Sequence, residues 1–144
     1  MAINNDVQPA TPLLPNKRFF TVEEANKAIP YVSKIVSDIR DTYRLALDLQ
    51  QRLEFPTPGD DQDKIQRDYE NTVEDLNRYV DELQKTGAEL KDYSLGLIDF
   101  PGIHDGREIC ICWRYGEDSI VAWHETNAGF SGRQDIANIN EPNQ

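Results

Sequence analysis

Side chains that can transfer protons, bind metal ions or bind anions are concentrated in residues 95–133. This stretch contains both tryptophans, both cysteines, both histidines and most of the glycines of the chain. Charged groups are costly to bury among aromatic residues unless they are paired, so this combination predicts either ion pairs or a pocket for a polar ligand. The candidate ligand-binding residues are Asp99, Arg107, Trp113, Arg114, Glu117, Trp123, His124 and Arg133.

Metal binding is an alternative use of part of this set. Asp99, Glu117 and His124 are suitable ligands for a divalent metal ion, and Cys110 and Cys112 add thiolates. The Cys-x-Cys spacing differs from the Cys-x-x-Cys spacing of closed structural zinc sites, so the sequence favours an open carboxylate–histidine site over a closed one. Small thiols that pack in the core of a strand are the simpler explanation for both cysteines. No other cofactor is predicted.

Nucleophilic catalysis is a further alternative. A cysteine, a histidine and an aspartate are the residue types that a thiol nucleophile needs, and Cys112, His124 and Asp99 supply them. The spacing marks neither a nucleophile elbow nor an oxyanion loop. The sequence therefore gives little support to this chemistry.

The surroundings of His124 depend on the register of the hairpin that contains it. A two-residue Gly116-Glu117 turn places His124 opposite Ile109, whereas a three-residue loop over residues 116–118 places it opposite Cys110. A shift of one residue moves every side chain of a strand to the other face of the sheet. We favour the three-residue loop, because it keeps the imidazole off a purely apolar face.

Two long helices are predicted before this stretch. Thr21 and Glu24 form a T-x-x-E capping box. Apolar residues at spacings of three and four predict helices over about residues 22–54 and 61–92, the first kinked near Pro30. Because a short Pro-rich connection joins them, we expect an antiparallel helical hairpin.

The period of the apolar pattern changes to two after Asp92. Strands are predicted over Leu95–Phe100, Arg107–Tyr115 and Ser119–Glu125, with residues 101–106 as the first turn. The predicted fold class is α+β, a helical hairpin packed on a three-stranded antiparallel meander. One domain is expected over residues 18–133, with a disordered arm at 1–17 and a disordered tail at 134–144.

The composition argues against nucleic-acid and membrane partners and against secretion. The 144 residues carry a net charge of −11, which disfavours nucleic acid and anionic membrane surfaces. No run approaches the roughly 20 apolar residues that a bilayer requires, and the N-terminus lacks the pattern of a secretory signal. Cys110 and Cys112 are too splayed on one strand for an easy disulfide. Reduced thiols and the absence of a signal predict a cytoplasmic protein.

A resemblance to a known family rests on three segments, FTVEEANKAIPYV, LKDYSLGLIDFPGIHDGREICICWRYGEDSIVAWHE and AGFSGR. Together they resemble a family of small bacterial proteins that carry a domain of unknown function, DUF2203. The resemblance covers about residues 19–134. It implies no named activity, and it directs attention to motif positions such as Asp99, Arg107, Cys112, Glu117 and His124.

We interpret the chain as a non-enzymatic binding module whose surface is formed by the meander turns and the GFSGR tail. Its partner would be a protein or a small polar ligand, held by the three arginines with a tryptophan as an apolar wall. One alternative is a metal-dependent hydrolase or lyase, in which an ion at Asp99, Glu117 and His124 activates water. Another is a structural or assembly protein that acts through the helical hairpin, whose wide apolar stripe also predicts a homodimer.

Overall fold

The computed structural model of the chain describes residues 17–142. It consists of two helices and a five-stranded sheet, with two short 3-10 turns near the C-terminus. The elements are α1 (Val22–Glu54), α2 (Gln62–Lys85), β1 (Glu89–Asp92), β2 (Leu97–His104), β3 (Arg107–Arg114), β4 (Ala122–Glu125) and β5 (Gln134–Asp135). The predicted N-terminal arm at residues 1–17 lies outside the described residues except for Lys17.

The N-terminus of α1 has the predicted capping box. Glu24 donates its backbone N–H to the Thr21 hydroxyl over 3.1 Å, and Thr21 donates its own to the Glu24 carboxylate over 2.9 Å. The helix continues through Pro30 as one element, and the kink expected there stays a prediction. Within residues 17–142, neither helix has an apolar stretch long enough to cross a membrane.

The second helix ends earlier than the sequence predicted. It stops at Lys85 instead of near residue 92, because Gly87 takes a φ of +98° that an α-helix does not accommodate. Residues 89–92 then form β1 and pair with β2. The apolar spacing that continued to Leu90 therefore belongs to a strand and not to the helix.

The sheet has five strands, so the prediction of three was wrong. All neighbouring strands are antiparallel, in the order β1-β2-β3-β4-β5. The α+β class and the antiparallel meander are confirmed. The two additional strands come from segments that the sequence assigned to the end of a helix and to a disordered tail.

The first turn of the meander is much tighter than predicted. Residues 101–104 belong to β2, and only Asp105 and Gly106 connect it to β3. Their φ values of 49° and 77° suit the two-residue Asp-Gly hairpin turn, which requires positive φ at both positions. This turn pairs His104 with Arg107 and thereby fixes the register of the whole hairpin.

The predicted register of the second hairpin is confirmed. His124 lies opposite Cys110, and Trp123 lies opposite Ile111. The ladder stops at Cys112 and Ala122, so the connection is longer than the three residues that the sequence suggested. His124 and Cys110 therefore lie on the same face of the sheet.

The two faces of the sheet have different roles. One face packs on the helical hairpin in the main apolar core, to which the sheet contributes Ile98, Phe100, Ile109, Ile111, Trp113 and Trp123. A smaller core further along the hairpin contains only helix residues: Ala46, Leu49, Ile65, Tyr69 and Val73. Because side chains alternate along a strand, the other face of the sheet carries Asp99, Cys110, Cys112 and His124.

Residues 134–142, which the sequence predicted to be disordered, instead follow the edge of the sheet. β5 pairs with β4, and the Asn138 side chain accepts a hydrogen bond from the Trp123 indole over 2.8 Å. Asn140 donates its backbone N–H to Nδ1 of His104 over 2.8 Å, and the Glu141 carboxylate accepts from the backbone N–H of Val22. Specific polar contacts of this kind leave no periodic trace in the sequence.

Candidate functional site

Three chemically different side chains converge on the sheet face that points away from the helices. Asp99 in β2, Cys112 in β3 and His124 in β4 each offer one metal-binding atom, and these three atoms lie within 4.8 Å of one another. All three residues are buried, with 2 to 4% of their surface exposed. We call this group the Asp–Cys–His cluster.

The hydrogen bonds of His124 define the orientation of its ring. Nδ1 lies 2.8 Å from the backbone oxygen of Glu125, and Nε2 lies 3.0 Å from Oδ1 of Asp99. Because a carbonyl oxygen can only accept, Nδ1 carries a proton and donates it. Nε2 therefore faces the carboxylate of Asp99.

The hydrogen bond to Asp99 is the main cause that raises the pKa of His124 above its usual value, while burial opposes it. An imidazolium paired with the Asp99 carboxylate satisfies both groups without a metal ion. In metal-binding histidines, the second ring nitrogen usually donates to a carbonyl or a carboxylate and so fixes the ring. His124 already has this arrangement through Glu125.

Both thiols lie close to the carboxylate of the cluster. Burial is the main cause that raises the pKa of Cys112 to about 12, followed by the negative charge of Asp99, while Arg133 opposes the change. Burial and the same carboxylate also raise the pKa of Cys110 well above its usual value. Both side chains are therefore neutral thiols at neutral pH, and a metal ion would have to displace a proton to bind either sulfur.

Glu117 is not part of the cluster, although the sequence grouped it with Asp99 and His124. Its two carboxylate oxygens accept hydrogen bonds from Nη2 of Arg133 at 3.1 and 3.0 Å. One of them also accepts the backbone N–H of Arg114 over 2.7 Å. The Glu117 carboxylate thus links the β3–β4 connection to the C-terminal tail. The third side chain beside Asp99 and His124 is Cys112 instead of Glu117.

The predicted arginine contacts are spread over the sheet. Arg107 lies at the start of β3, where Nε donates to the Glu125 carboxylate over 3.0 Å and Nη2 donates to the other oxygen. Arg133 pairs with Glu117 in the tail, and Arg114 is exposed at the end of β3. The structure therefore does not bring these three guanidinium groups to a common site.

Both tryptophans belong to the core between the sheet and the helices. Trp113 and Trp123 are 1% and 2% exposed, and their indole N–H groups donate to the backbone oxygen of Glu117 and to Asn138. Neither ring offers a surface to a ligand in this arrangement. The sequence placed both rings near the charged residues because the tryptophans and the charged residues alternate along the same strands.

The sequence grouped Cys112 with Asp99 and His124 only for nucleophilic catalysis, and it offered the thiols of Cys110 and Cys112 only as additions to a metal site of Asp99, Glu117 and His124. The Asp105-Gly106 pair is the signal that could have identified the Asp–Cys–His cluster, since a two-residue turn there places Asp99 opposite Cys112. The favoured register of the next hairpin already placed His124 on the same face. A turn over all of residues 101–106 would not place Asp99 opposite Cys112.

Comparison with known proteins identifies one family. No curated protein and no solved structure matches the chain. The family described as an uncharacterized conserved protein, DUF2203, matches residues 18–136, which include both helices, strands β1 to β5 and the Asp–Cys–His cluster. This match confirms the resemblance found in the sequence, and the chain belongs to the DUF2203 family.

Proposed function

We propose that the protein binds one divalent transition-metal ion at the Asp–Cys–His cluster. The observation that carries this proposal is the convergence of a carboxylate, a thiol and an imidazole within 4.8 Å on a buried sheet face. Each ligand comes from a different strand of one sheet, so the backbone positions are set before an ion arrives. Sites built on regular elements are held more accurately than sites built on loops.

The ligand types favour a particular class of ion. A thiolate and an imidazole suit Zn²⁺ and the later divalent transition metals, whereas Mg²⁺ and Ca²⁺ prefer sites made of oxygen atoms alone. The carboxylate and one thiolate together neutralise the two charges of such an ion. The carbonyl of Glu125, which fixes the imidazole of His124, supports the proposal further. Zn²⁺ is therefore the ion that fits best.

The broader interpretation remains a binding module in the cytoplasm, where both free cysteines would stay reduced. A metal-dependent hydrolase or lyase is the second candidate, because three protein ligands are the number found in open catalytic zinc sites. A polar ligand or protein partner at the meander turns, and a homodimer or assembly role through the helices, remain predictions.

The test measures metal binding by protein purified without a histidine tag and dialysed against a chelator. Wild-type protein should bind one equivalent of Zn²⁺, and a free concentration one hundred times Kd should stabilise it by about 2.7 kcal/mol. Cys112→Ser and Asp99→Asn should lose most of this affinity. Asp118→Asn removes an exposed carboxylate from the same meander and should bind as the wild type does.

Circular dichroism of the metal-free variants separates a lost ligand from a lost fold. Two results would overturn the proposal. One is wild-type protein that takes up no stoichiometric Zn²⁺ or Co²⁺ and shows no thermal shift with either. The other is folded Cys112→Ser protein that binds as tightly as the wild type.

A further inference from the structure

The Asp–Cys–His cluster straddles the central strand of the sheet. Asp99 lies opposite Cys112 on one side of β3, and His124 lies opposite Cys110 on the other side. Two strand spacings and an offset of two residues put the Cα atoms of Asp99 and His124 about 12 Å apart. Their side chains nevertheless meet at 3.0 Å, so the meeting point lies above β3.

This meeting point is flanked by both cysteines of β3. Cys110 and Cys112 are two residues apart on one strand, so they point to the same face with Cα atoms about 6.8 Å apart. The diagonal from Asp99 to His124 crosses β3 halfway between them. The Cys112 sulfur already belongs to the group whose ligand atoms lie within 4.8 Å of one another, whereas the Cys110 sulfur lies just outside that group on the other side of the diagonal.

The carboxylate of Asp99 lies close enough to influence both thiols. The negative charge of Asp99 raises the pKa of both thiols, although burial is the larger cause for each. Two thiolates, one carboxylate and a divalent ion carry a net charge of −1. Lys17 and Lys91 act on Cys110, and Arg133 acts on Cys112, whereas Glu89 and Glu117 act on these thiols in the opposite sense.

We infer that Cys110 is the fourth ligand of the ion, which is then held by Asp99, Cys110, Cys112 and His124. This inference rests on the proposed function. Coordination releases the protons of both thiols and of Nε2 to solvent, and it requires the Cys110 side chain to rotate until its sulfur reaches the Zn–S distance of about 2.3 Å. The Cys-x-Cys spacing suffices here because the other two ligands come from the neighbouring strands.

Four protein ligands leave no coordination position for water. The ion then joins β2, β3 and β4 as a structural centre, in the manner of closed zinc sites. The hydrolase or lyase alternative requires an open position, and this ligand set removes it. The number of thiolates on the ion therefore decides between a structural and a catalytic role.

Cobalt substitution of the full chain counts the thiolates directly. Wild-type protein loaded with Co²⁺ should show thiolate-to-cobalt absorption of about twice the intensity found in either Cys110→Ser or Cys112→Ser. Each variant should also bind Zn²⁺ at least about tenfold more weakly, since loss of an outer-shell partner alone costs 10- to 100-fold. Asp118→Asn should keep the wild-type spectrum and affinity.

The failures of the two proposals are distinguishable. If folded Cys110→Ser protein keeps the full absorption and affinity while Cys112→Ser loses both, Cys110 is not a ligand and the three-ligand site stands. If wild-type protein binds neither Co²⁺ nor Zn²⁺, both proposals are wrong. Cys110→Ala provides a second variant in which no hydroxyl can replace the sulfur as a ligand.

Discussion

Replacing Gly96 with alanine should be strongly destabilising, because the β1–β2 connection passes very close to α1 at this residue. Gly96 has a φ of +69°. An added Cβ would lie 2.7 Å from Cβ of Tyr115, 2.8 Å from Cγ1 of Val36 and 3.0 Å from Cδ of Arg40. Two of these atoms are close to the backbone and cannot move away easily, so the alanine would push the connection off the helix.

The expected cost has two parts. The left-handed backbone costs an L-residue about 1–2 kcal/mol, and overpacking in a tight site costs about 1–3 kcal/mol. The free energy of unfolding should therefore fall by about 2–5 kcal/mol, out of the 5–15 kcal/mol typical of a folded domain. Gly106→Ala is the matched control, since its φ is +77° and no heavy atom of the described residues lies within 4 Å of an added Cβ.

Urea unfolding of metal-free protein measures both variants. Gly106→Ala should lose only the backbone component, and Gly96→Ala should lose about 1–3 kcal/mol more. The urea midpoint should shift while the m-value stays constant, because the surface exposed on unfolding does not change. Equal losses in the two variants would refute the close approach of the connection to α1.

Three further changes have defined outcomes. Asn138→Ala leaves the buried Trp123 indole without its acceptor, so urea unfolding should show a loss of about 1–3 kcal/mol; an unchanged midpoint would contradict the contact. Arg107→Gln removes the largest cause that lowers the pKa of Glu125, so this pKa should rise toward its usual value in an NMR titration. A carboxyl with a lowered pKa in the folded state contributes stability above its usual pKa and loses it as the pH falls through the folded value. The Arg107→Gln variant should lack the stability that the lowered pKa of Glu125 contributes. Identical pH–stability profiles for the variant and the wild type would contradict this prediction. Thr21→Ala breaks the capping box and should lower the melting temperature through a cost of about 1 kcal/mol, whereas an unchanged temperature would mean that α1 does not depend on this cap.

The helices and the central hairpin of the sheet could be predicted because their signals are local. The capping box of Thr21 and Glu24 marks the start of α1, and the change of apolar period after Asp92 marks the sheet. The register of His124 against Cys110 followed from keeping an imidazole off an apolar face. In each case, a few neighbouring residues contain the whole physical reason.

The outer strands could not be predicted because their reasons lie far along the chain. β1 is only four residues long, and its pattern continues the helical spacing up to Leu90. β5 has two polar residues and exists because β4 offers a free edge to the backbone. Asn138 and Asn140 hold the tail through single hydrogen bonds. The polar composition of this segment therefore led to a prediction of disorder.

The site was predicted only in part, because residue type is visible in the sequence and strand register is not. Asp99 and His124 were selected by residue type, and the fold places them 3.0 Å apart. Glu117 was selected with them, but its partner is Arg133, whose position depends on how the tail returns to the sheet. Residue type identified the acidic and imidazole groups, whereas the choice of Cys112 required the strand register.

The smaller core at the far end of the hairpin contains side chains of the two helices alone. Segments with few stabilising contacts open more readily than the rest of a protein, so this end should unfold locally while the sheet stays intact. Amide hydrogen exchange should be faster around Leu49 and Ile65 than around Val36 and Leu83 on the same helices. A protease cut or an inserted tag at residues 56–61 should accordingly leave the ligand-bearing strands undisturbed.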